Sequence, residues 1–366
     1  MLPRSNSSSD HPVGTTSPPS PTTFGKLTLK VEHLVKGYAY FAGIVGDKPS
    51  EYSKSPNLWK AAFKEIGLDT ATYVCFDVRR DELKDLLGDL RLRSNFLGLN
   101  VTMPHKTRVL ELNLIDDLDE EVRRIGAVNT IVHVGEDHLT GHNTDGAGAV
   151  DSLTRVLPGE RQPLFESLSN LKVLLLGAGG SAHAVAFAVA KAIGKGGKLF
   201  ICNRGFHKAK NLSQKVSEIH GNSEALEPVR LIHIENEKEL QELDLIINAT
   251  TVGQSNELQA YSPLWPTGGD DRENNLERNL KMSEKILGFF KKAKLFDLIY
   301  SPEETVLLKQ GRAPGRRTLN GKGMMIWQAV EAFVKVMRSN ETFKEYTQKN
   351  PNTWHKKILE AMASAW

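Results

Sequence analysis

An α/β fold in two units is predicted for this 366-residue chain, and three observations predict it. Apolar runs of strand length alternate with segments of helical period from about residue 39 onward. A glycine-rich turn, "GAGGSA" at 177–182, joins a strand to a helix in mid-chain. The length is enough for two domains with a sizeable core.

In chain order, "MLPRSNSSSDHPVGTTSPPSPTTFG" is rich in Ser, Thr and Pro and cannot bury enough apolar surface to fold. It has no secretory core and little arginine, so residues 1–36 read as a disordered tail rather than a targeting peptide. "AYFAGIVG" (39–46) is a buried strand. "SPNLWKAAFKEIGL" follows as a helix with Leu58, Trp59, Ala62, Phe63 and Ile66 at helical spacing, Ser55 at its cap, Pro56 at its first position and Gly67 at its end. A strand "TYVCFDV", a helix around "DELKDLLGDLR" and a strand "FLGLNVT" continue the alternation of a mostly parallel sheet. "KTRVLELNLIDDLDEEVRRIG" is helical with a central break, "AVNTIVHV" and "HLTGHNT" are short strands, and "DGAGAVDSLTRVL" is a helix leading to the second unit.

That unit begins with an all-apolar strand, Val173 to Leu176, then the glycine turn and an Ala/Val-rich helix. "KLFICNR", "VRLIHI", "LDLIINAT" and "LFDLIY" are further strands, giving a doubly wound nucleotide-binding pattern. The polar stretch Ser255 to Glu284 reads as an exposed loop or insertion. "NGKGMMIWQAVEAFVKVM" is an apolar helix with Gln328 as its polar exception, and "NPNTWHKKILEAMASAW" is an amphipathic appendage with a solvated basic face.

The composition excludes several function classes. A net charge of +3 is small for this length and gives no reason for a nucleic-acid or membrane partner. No apolar run would span a bilayer. Cys75 and Cys202 each sit in a strand-like run and read as buried hydrophobes in a reducing compartment. No Cys/His/carboxylate spacing suits a metal, and no Ser/His/Asp arrangement calls for nucleophilic catalysis.

The glycine turn carries the first functional reading. Gly177 permits the tight turn, and Gly179 lets backbone approach a pyrophosphate. Ala178, Gly180 and Ser181 complete the helix entry whose free N–H groups would face it. Ala182 is small enough for close helix–strand packing. The next strand ends in Asn203, Arg204 and Gly205, with Lys208 close behind and no carboxylate to accept a ribose hydroxyl. Arg204 offers a planar guanidinium to a 2′-phosphate and Lys208 a second charge, so NADP is expected in preference to NAD.

"NVTMPHK" places Asn100, Thr102 and Lys106 at a strand end. Together with "IGAVNTI" (125–131), "GHNTDGAG" (141–148), "GAGGSAHA", "CNR", "INATTVG" (247–253), "DLIYSPEET" (297–305) and "GKGMMIWQA" (321–329), it resembles the shikimate/quinate dehydrogenase family, motif by motif and in order. The resemblance spans Gly43 to about Phe333. It implies a substrate-binding, catalytic α/β domain of residues 37–147 completed by 320–345. A Rossmann-type NADP domain, 148–319, would be inserted in it, with 346–366 as an extension and the active site between the lobes.

The resemblance also implies roles. Lys106 and Asp145 would be the catalytic pair for a secondary alcohol that loses hydride and a proton. Ser53, Ser55, Thr102, Asn129, Tyr300 and Gln328 would hold a hydroxylated ring acid, with the two serines and Tyr300 on its carboxylate. Thr250 and Gly323 would join Asn203, Arg204 and Lys208 on the cofactor side. The implied activity is reversible reduction of 3-dehydroshikimate to shikimate in chorismate biosynthesis, by a cytoplasmic monomer or homodimer. Rivals are a quinate dehydrogenase using NAD, and a non-catalytic metabolite-binding relative.

Some positions depart from the family pattern. Tyr52 stands where a histidine is usual and an extra residue precedes Pro49. His183 replaces a common arginine, Gly205 a common threonine and Asn320 a common aspartate.

Overall fold

The protein is described by a computed structural model, at residues 21–220, 226–229, 238–255, 257–265, 272–340, 343 and 351–366. The first helix, α1, spans Pro21–Val35. It is followed by β1 (Tyr40–Gly46), α2 (Pro49–Tyr52), α3 (Ser55–Glu65), β2 (Ala71–Asp77), α4 (Leu83–Arg91) and β3 (Phe96–Val101). Then come α5 (Arg108–Glu111), β4 (Asp117–Leu118), α6 (Glu120–Ile125), β5 (Thr130–Gly135), β6 (His138–His142) and α7 (Asp145–Thr154).

The first sheet has the order β2-β1-β3-β5-β6-β4. β1 pairs in parallel with β2 and β3, as the alternation predicts. The sheet is mixed beyond β3: β5 runs antiparallel to β3 and to β6, while β4 pairs in parallel with β6. The reason is local: Glu136 and Asp137 both adopt left-handed backbone, φ 46° and 65°, and turn the chain back in a two-residue hairpin. β1 is buried along almost its whole length, since apolar clusters cover both faces of the sheet.

The second sheet is built from β7 (Lys172–Leu176), α8 (Gly180–Ile193), β8 (Lys198–Cys202), α9 (Phe206–His220), β9 (Leu226–Val229) and β10 (Leu245–Asn248). It ends with α10 (Arg272–Phe289), β11 (Lys294–Asp297), α11 (Val306–Arg312) and β12 (Thr318–Leu319). Its order is β12-β11-β10-β7-β8-β9, and its ladders are parallel. The strand order reverses between β7 and β10, and a ligand of such a sheet binds outside the carboxyl ends of the strands at that point. The predicted strand "VRLIHI" begins at Val229, the last residue of β9, and its remainder lies outside the described residues.

The chain returns to the first unit through α12 (Lys322–Ser339) and α13 (Pro351–Ser364). Val330, Phe333 and Met337 of α12 pack in one cluster with Trp354, Ile358 and Met362 of α13 and with Trp59 and Phe63 of α3. The expected C-terminal appendage is therefore part of the first core.

Two further expectations are corrected. Residues 21–35 of the predicted tail are helical, and Val31 and Val35 are buried beside Leu86 and Leu90. Their four-residue spacing is a helical stripe that the Ser/Pro-rich average of the tail conceals. Residues 1–20 lie outside the described residues. The stretch expected as an exposed loop contains the helix α10. Its inner face carries Asn279 and Ser283, both fully buried, so polar residues interrupt the apolar period there. Among the described residues no helix is long and apolar enough to cross a membrane.

Candidate active site

The polar groups of "NVTMPHK" separate at the end of β3. Asn100 stays behind the site: its Oδ1 accepts from the Tyr73 phenol at 2.7 Å and its Nδ2 donates to Thr130 Oγ1 at 3.3 Å. His105 is fully buried with Nε2 2.8 Å from the Val78 carbonyl, a core role. Lys106, one residue on, reaches the opposite way. Its Nζ donates to Asp145 Oδ2 at 2.5 Å and to Ser181 Oγ at 3.3 Å.

Asp145 opens α7, where the helix N-terminus favours a negative charge. Asn143 Oδ1 accepts from its backbone N–H at 3.0 Å and fixes the helix entry. Asp145 Oδ1 accepts from Asn129 Nδ2 at 2.8 Å, so each carboxylate oxygen has a side-chain donor. Both Asn129 and Asp145 are buried. Thr144 N–H donates to Asn129 Oδ1 at 2.8 Å, and Gln328 Oε1 lies 3.3 Å from both Asn129 Nδ2 and Thr144 Oγ1. Lys106, Asp145, Asn129 and Gln328, expected together, thus form one hydrogen-bonded cluster. Sequence reasoning assigned Thr144 no part in it. The polar run "HNTD" just before a helix was the available signal.

The proposed carboxylate groups are Ser53, Ser55 and Tyr300. Ser53 Oγ accepts from the Ser55 N–H at 3.2 Å just ahead of α3, whose N-cap is Lys54, so Ser55 is not the cap expected. Ser55 lies inside the helix and is buried close to the Tyr73 phenol. Burial pushes that phenol well above the usual tyrosine range. Thr102 is half-buried and shares a hydrogen bond with the Tyr52 phenol, where the family pattern has histidine. Burial pushes the Tyr300 phenol up to about 12, with nearby Tyr52 adding to it. Its ring stands edge-on to Trp366, centroids 5.5 Å apart.

A cleft of about 500 Å³ opens between Lys106 and the second sheet, at the switch point between β7 and β10. Gly177, Ala178, Gly179, Gly180 and Ser181 form one wall. Gly177 has φ +116°, and a Cβ there would meet the Ala249 carbonyl at 2.8 Å, so the turn requires glycine. A Cβ on Gly179 would have open space around it, which leaves room for a ligand against the α8 N-terminus. Asn203, Arg204 and Thr250 also line the cleft, with the Arg204 side chain exposed to it. Asn248 Oδ1 accepts from the Thr250 N–H at 3.0 Å and hydroxyl at 2.7 Å, which fixes that loop.

Two expected cofactor contacts do not line the cleft. Lys208 is exposed on α9 and Gly323 faces Ser152 of α7. A Cβ on Gly323 would meet Ser152 Oγ at 2.9 Å, so its glycine serves helix packing. His183, which stands where an arginine is common, has Nδ1 3.1 Å from the Ile125 carbonyl at the end of α6, and burial lowers its pKa. Ser181, expected only as a cofactor contact, also touches Lys106 and so joins the two sides of the cleft.

Comparison with known proteins points to one family. The shikimate dehydrogenase substrate-binding domain family matches residues 44–131, and the shikimate/quinate 5-dehydrogenase family matches 160–256. The NADP(+) shikimate dehydrogenase of Bacillus subtilis (strain 168) is 34% identical over 291 residues, covering 80% of this chain and 89% of its own. That of Methanocaldococcus jannaschii is 33% identical over 294 residues, with the same coverages. The structure of shikimate 5-dehydrogenase from Thermus thermophilus with NADP(H) and shikimate superposes with a TM-score of 0.64 at 27% identity, over 89% of this chain and all of that one. A quinate dehydrogenase from Corynebacterium glutamicum with NAD gives 0.61 at 29% identity, over 88% and 99%.

Proposed function

The chain belongs to the shikimate dehydrogenase family, and from that premise we propose that it catalyses the reversible NADP-dependent interconversion of 3-dehydroshikimate and shikimate, a step of chorismate biosynthesis. The observation that carries the reading is the Lys106–Asp145 pair, 2.5 Å apart, touching Ser181 of the glycine turn across the cleft. An acid/base pair and a dinucleotide turn that share one hydrogen bond suit a hydride transfer coupled to a proton transfer.

The first unit, residues 37–147 with 320–345, carries the substrate side, and 148–319 the cofactor side. Bound NADP(H) would supply the hydride chemistry. The α8 N-terminus, where Gly179 leaves space, would hold its pyrophosphate, and Arg204 of the cleft wall would hold its 2′-phosphate. Lys106 Nζ holds the reacting oxygen. It gives that oxygen a proton during reduction and takes it back during oxidation, while Asp145 holds the ammonium in place. Asn129 and Gln328, already hydrogen-bonded to one another, present the remaining polar contacts to ring hydroxyls. Ser53, Ser55 and Tyr300 bind the carboxylate end, and Thr102, near Tyr52, completes the pocket.

The reading also places the protein in the cytoplasm as a monomer or homodimer. Cys75 and Cys202 are unbridged, in line with a reducing compartment. The rival, a quinate dehydrogenase using NAD, is favoured by Gly205 in place of the usual threonine.

Initial rates of nicotinamide reduction with shikimate or quinate, each with NADP or NAD, test the proposal. Turnover mainly with shikimate and NADP is expected. A preference for quinate with NAD would establish the rival. Silence in all four, with shikimate binding retained by calorimetry, would leave a non-catalytic relative.

A further inference from the structure

We propose that the segment inserted after β10 is a cofactor-binding element: Trp265 forms an aromatic wall for the adenine of the bound dinucleotide, and Asn279 is the positioning residue that holds it there. The inference rests on the dinucleotide reading of the cleft and assigns a role to a stretch that the family resemblance leaves unexplained.

Leu258, Pro263 and Trp265 line the same cleft as Arg204, Phe206 and Thr250. Residues 257–265 have no helix or strand to hold them in place. The Gly253 N–H donates to the Leu258 carbonyl at 3.0 Å at one end, and one buried side chain ties down the other. Asn279, on the inner face of α10, is fully buried. Its Oδ1 accepts from the Ser262 N–H at 2.8 Å, and its Nδ2 donates to the Ser262 carbonyl at 3.0 Å and the Trp265 carbonyl at 2.8 Å. A buried amide is costly unless its hydrogen bonds are made. Here all three go to two backbone positions of a single loop, and one of them is the tryptophan itself.

Between those positions Leu264 is fully buried in the apolar cluster that contains Cys202, the last residue of β8. β8 is the strand that delivers Asn203 and Arg204, the groups read as facing the adenosine ribose. Trp265 packs on the same cluster and remains half-buried, with surface left on the cleft. A rigid indole and an exposed guanidinium lining one cleft suit a flat purine and a 2′-phosphate.

The test uses the full-length protein as wild type, Trp265→Leu, Trp265→Phe and Asn279→Ala. NADPH binding is followed by nucleotide fluorescence. Calorimetry follows 2′,5′-ADP, which carries adenine and the 2′-phosphate but no nicotinamide. Trp265→Leu, which keeps apolar volume without a π-face, is expected to raise both dissociation constants about tenfold, the loss of one base–aromatic stack. Shikimate binding and melting temperature should stay near wild type. Trp265→Phe should bind nearly normally but lose most tryptophan-sensitised NADPH emission, a signature that a purely structural role would not give. Asn279→Ala should weaken both nucleotides in the same direction. Unchanged binding of both nucleotides in Trp265→Leu would overturn the assignment, and so would weaker NADPH binding with 2′,5′-ADP unaffected. A wild type that binds neither nucleotide would overturn the dinucleotide reading itself.

Discussion

At the scale of single residues, Lys106 is the group on which the chemistry turns. Its Nζ joins Asp145 and Ser181, one from each unit. Replacing Asn129 by Ala removes a donor to Asp145 and, on the proposed function, a ligand of the substrate ring. Asn129→Ala is therefore expected to raise the KM for shikimate and lower kcat, with nucleotide affinity unchanged, as steady-state kinetics would show. Equal KM and kcat would remove Asn129 from the site. That Lys106, Asp145, Asn129 and Gln328 come together in one cluster was legible in the sequence, because each lies in a short motif whose residue types suit a hydroxylated ligand. The partition of Asn100 behind the site and Thr102 toward it was not legible: residues two apart share one face of a regular strand, but β3 ends at Val101, so Thr102 leaves that face. Likewise the linear motif could not show that the Ser53 hydroxyl takes the Ser55 N–H while Ser55 itself is buried inside α3.

At the scale of elements, the end of β11 holds a titratable group with a clear sign. Asp297 is fully buried and accepts from Thr305 Oγ1, Asn248 Nδ2 and the Ile299 N–H. Burial outweighs these donors and pushes its carboxyl up to about 6. A carboxyl that binds its proton more tightly when folded makes stability fall as pH rises from its unfolded value through about 6. The loss amounts to about 3 kcal/mol at most. Melting temperature should therefore decline between about pH 4 and 6, and Asp297→Asn should flatten that decline. An unchanged profile in the variant would contradict the assignment. The last helix offers a second test. Ile358 of α13 is fully buried against α3 and α12, so Ile358→Ala should cost about 2–5 kcal/mol in denaturant unfolding. A cost within about 0.5 kcal/mol would show α13 to be an appendage after all. Strands and amphipathic helices with an unbroken apolar period were legible. α1 and α10 were not, because a Ser/Pro-rich surround hides one stripe and Asn279 and Ser283 interrupt the other.

At the scale of the whole molecule, the two units meet where α7 crosses α8. A Cβ on Gly146 would meet the Ala184 carbonyl at 2.7 Å and Ala188 Cβ at 2.9 Å, so this close crossing depends on glycine. It lies one residue from Asp145 and on the helix that begins with Gly180 and Ser181, and so sets the spacing between the catalytic pair and the dinucleotide turn. Gly146→Val should push the helices apart and lower kcat/KM for both substrates while each unit keeps its core. Circular dichroism near wild type with normal kcat/KM would contradict this. The family motifs made the two units and their order legible; the contact between them was not, because it is made by the absence of side chains.

The most direct test of the central claim is single-turnover formation of NADPH from a preformed complex with shikimate, compared between the wild type and Lys106→Met. If Lys106 moves the proton at the reacting oxygen, the variant should form NADPH at least about a hundredfold more slowly while still binding both ligands. Equal rates in the two proteins would show that the proton leaves by another route and that the Lys106–Asp145 pair is not the catalytic centre.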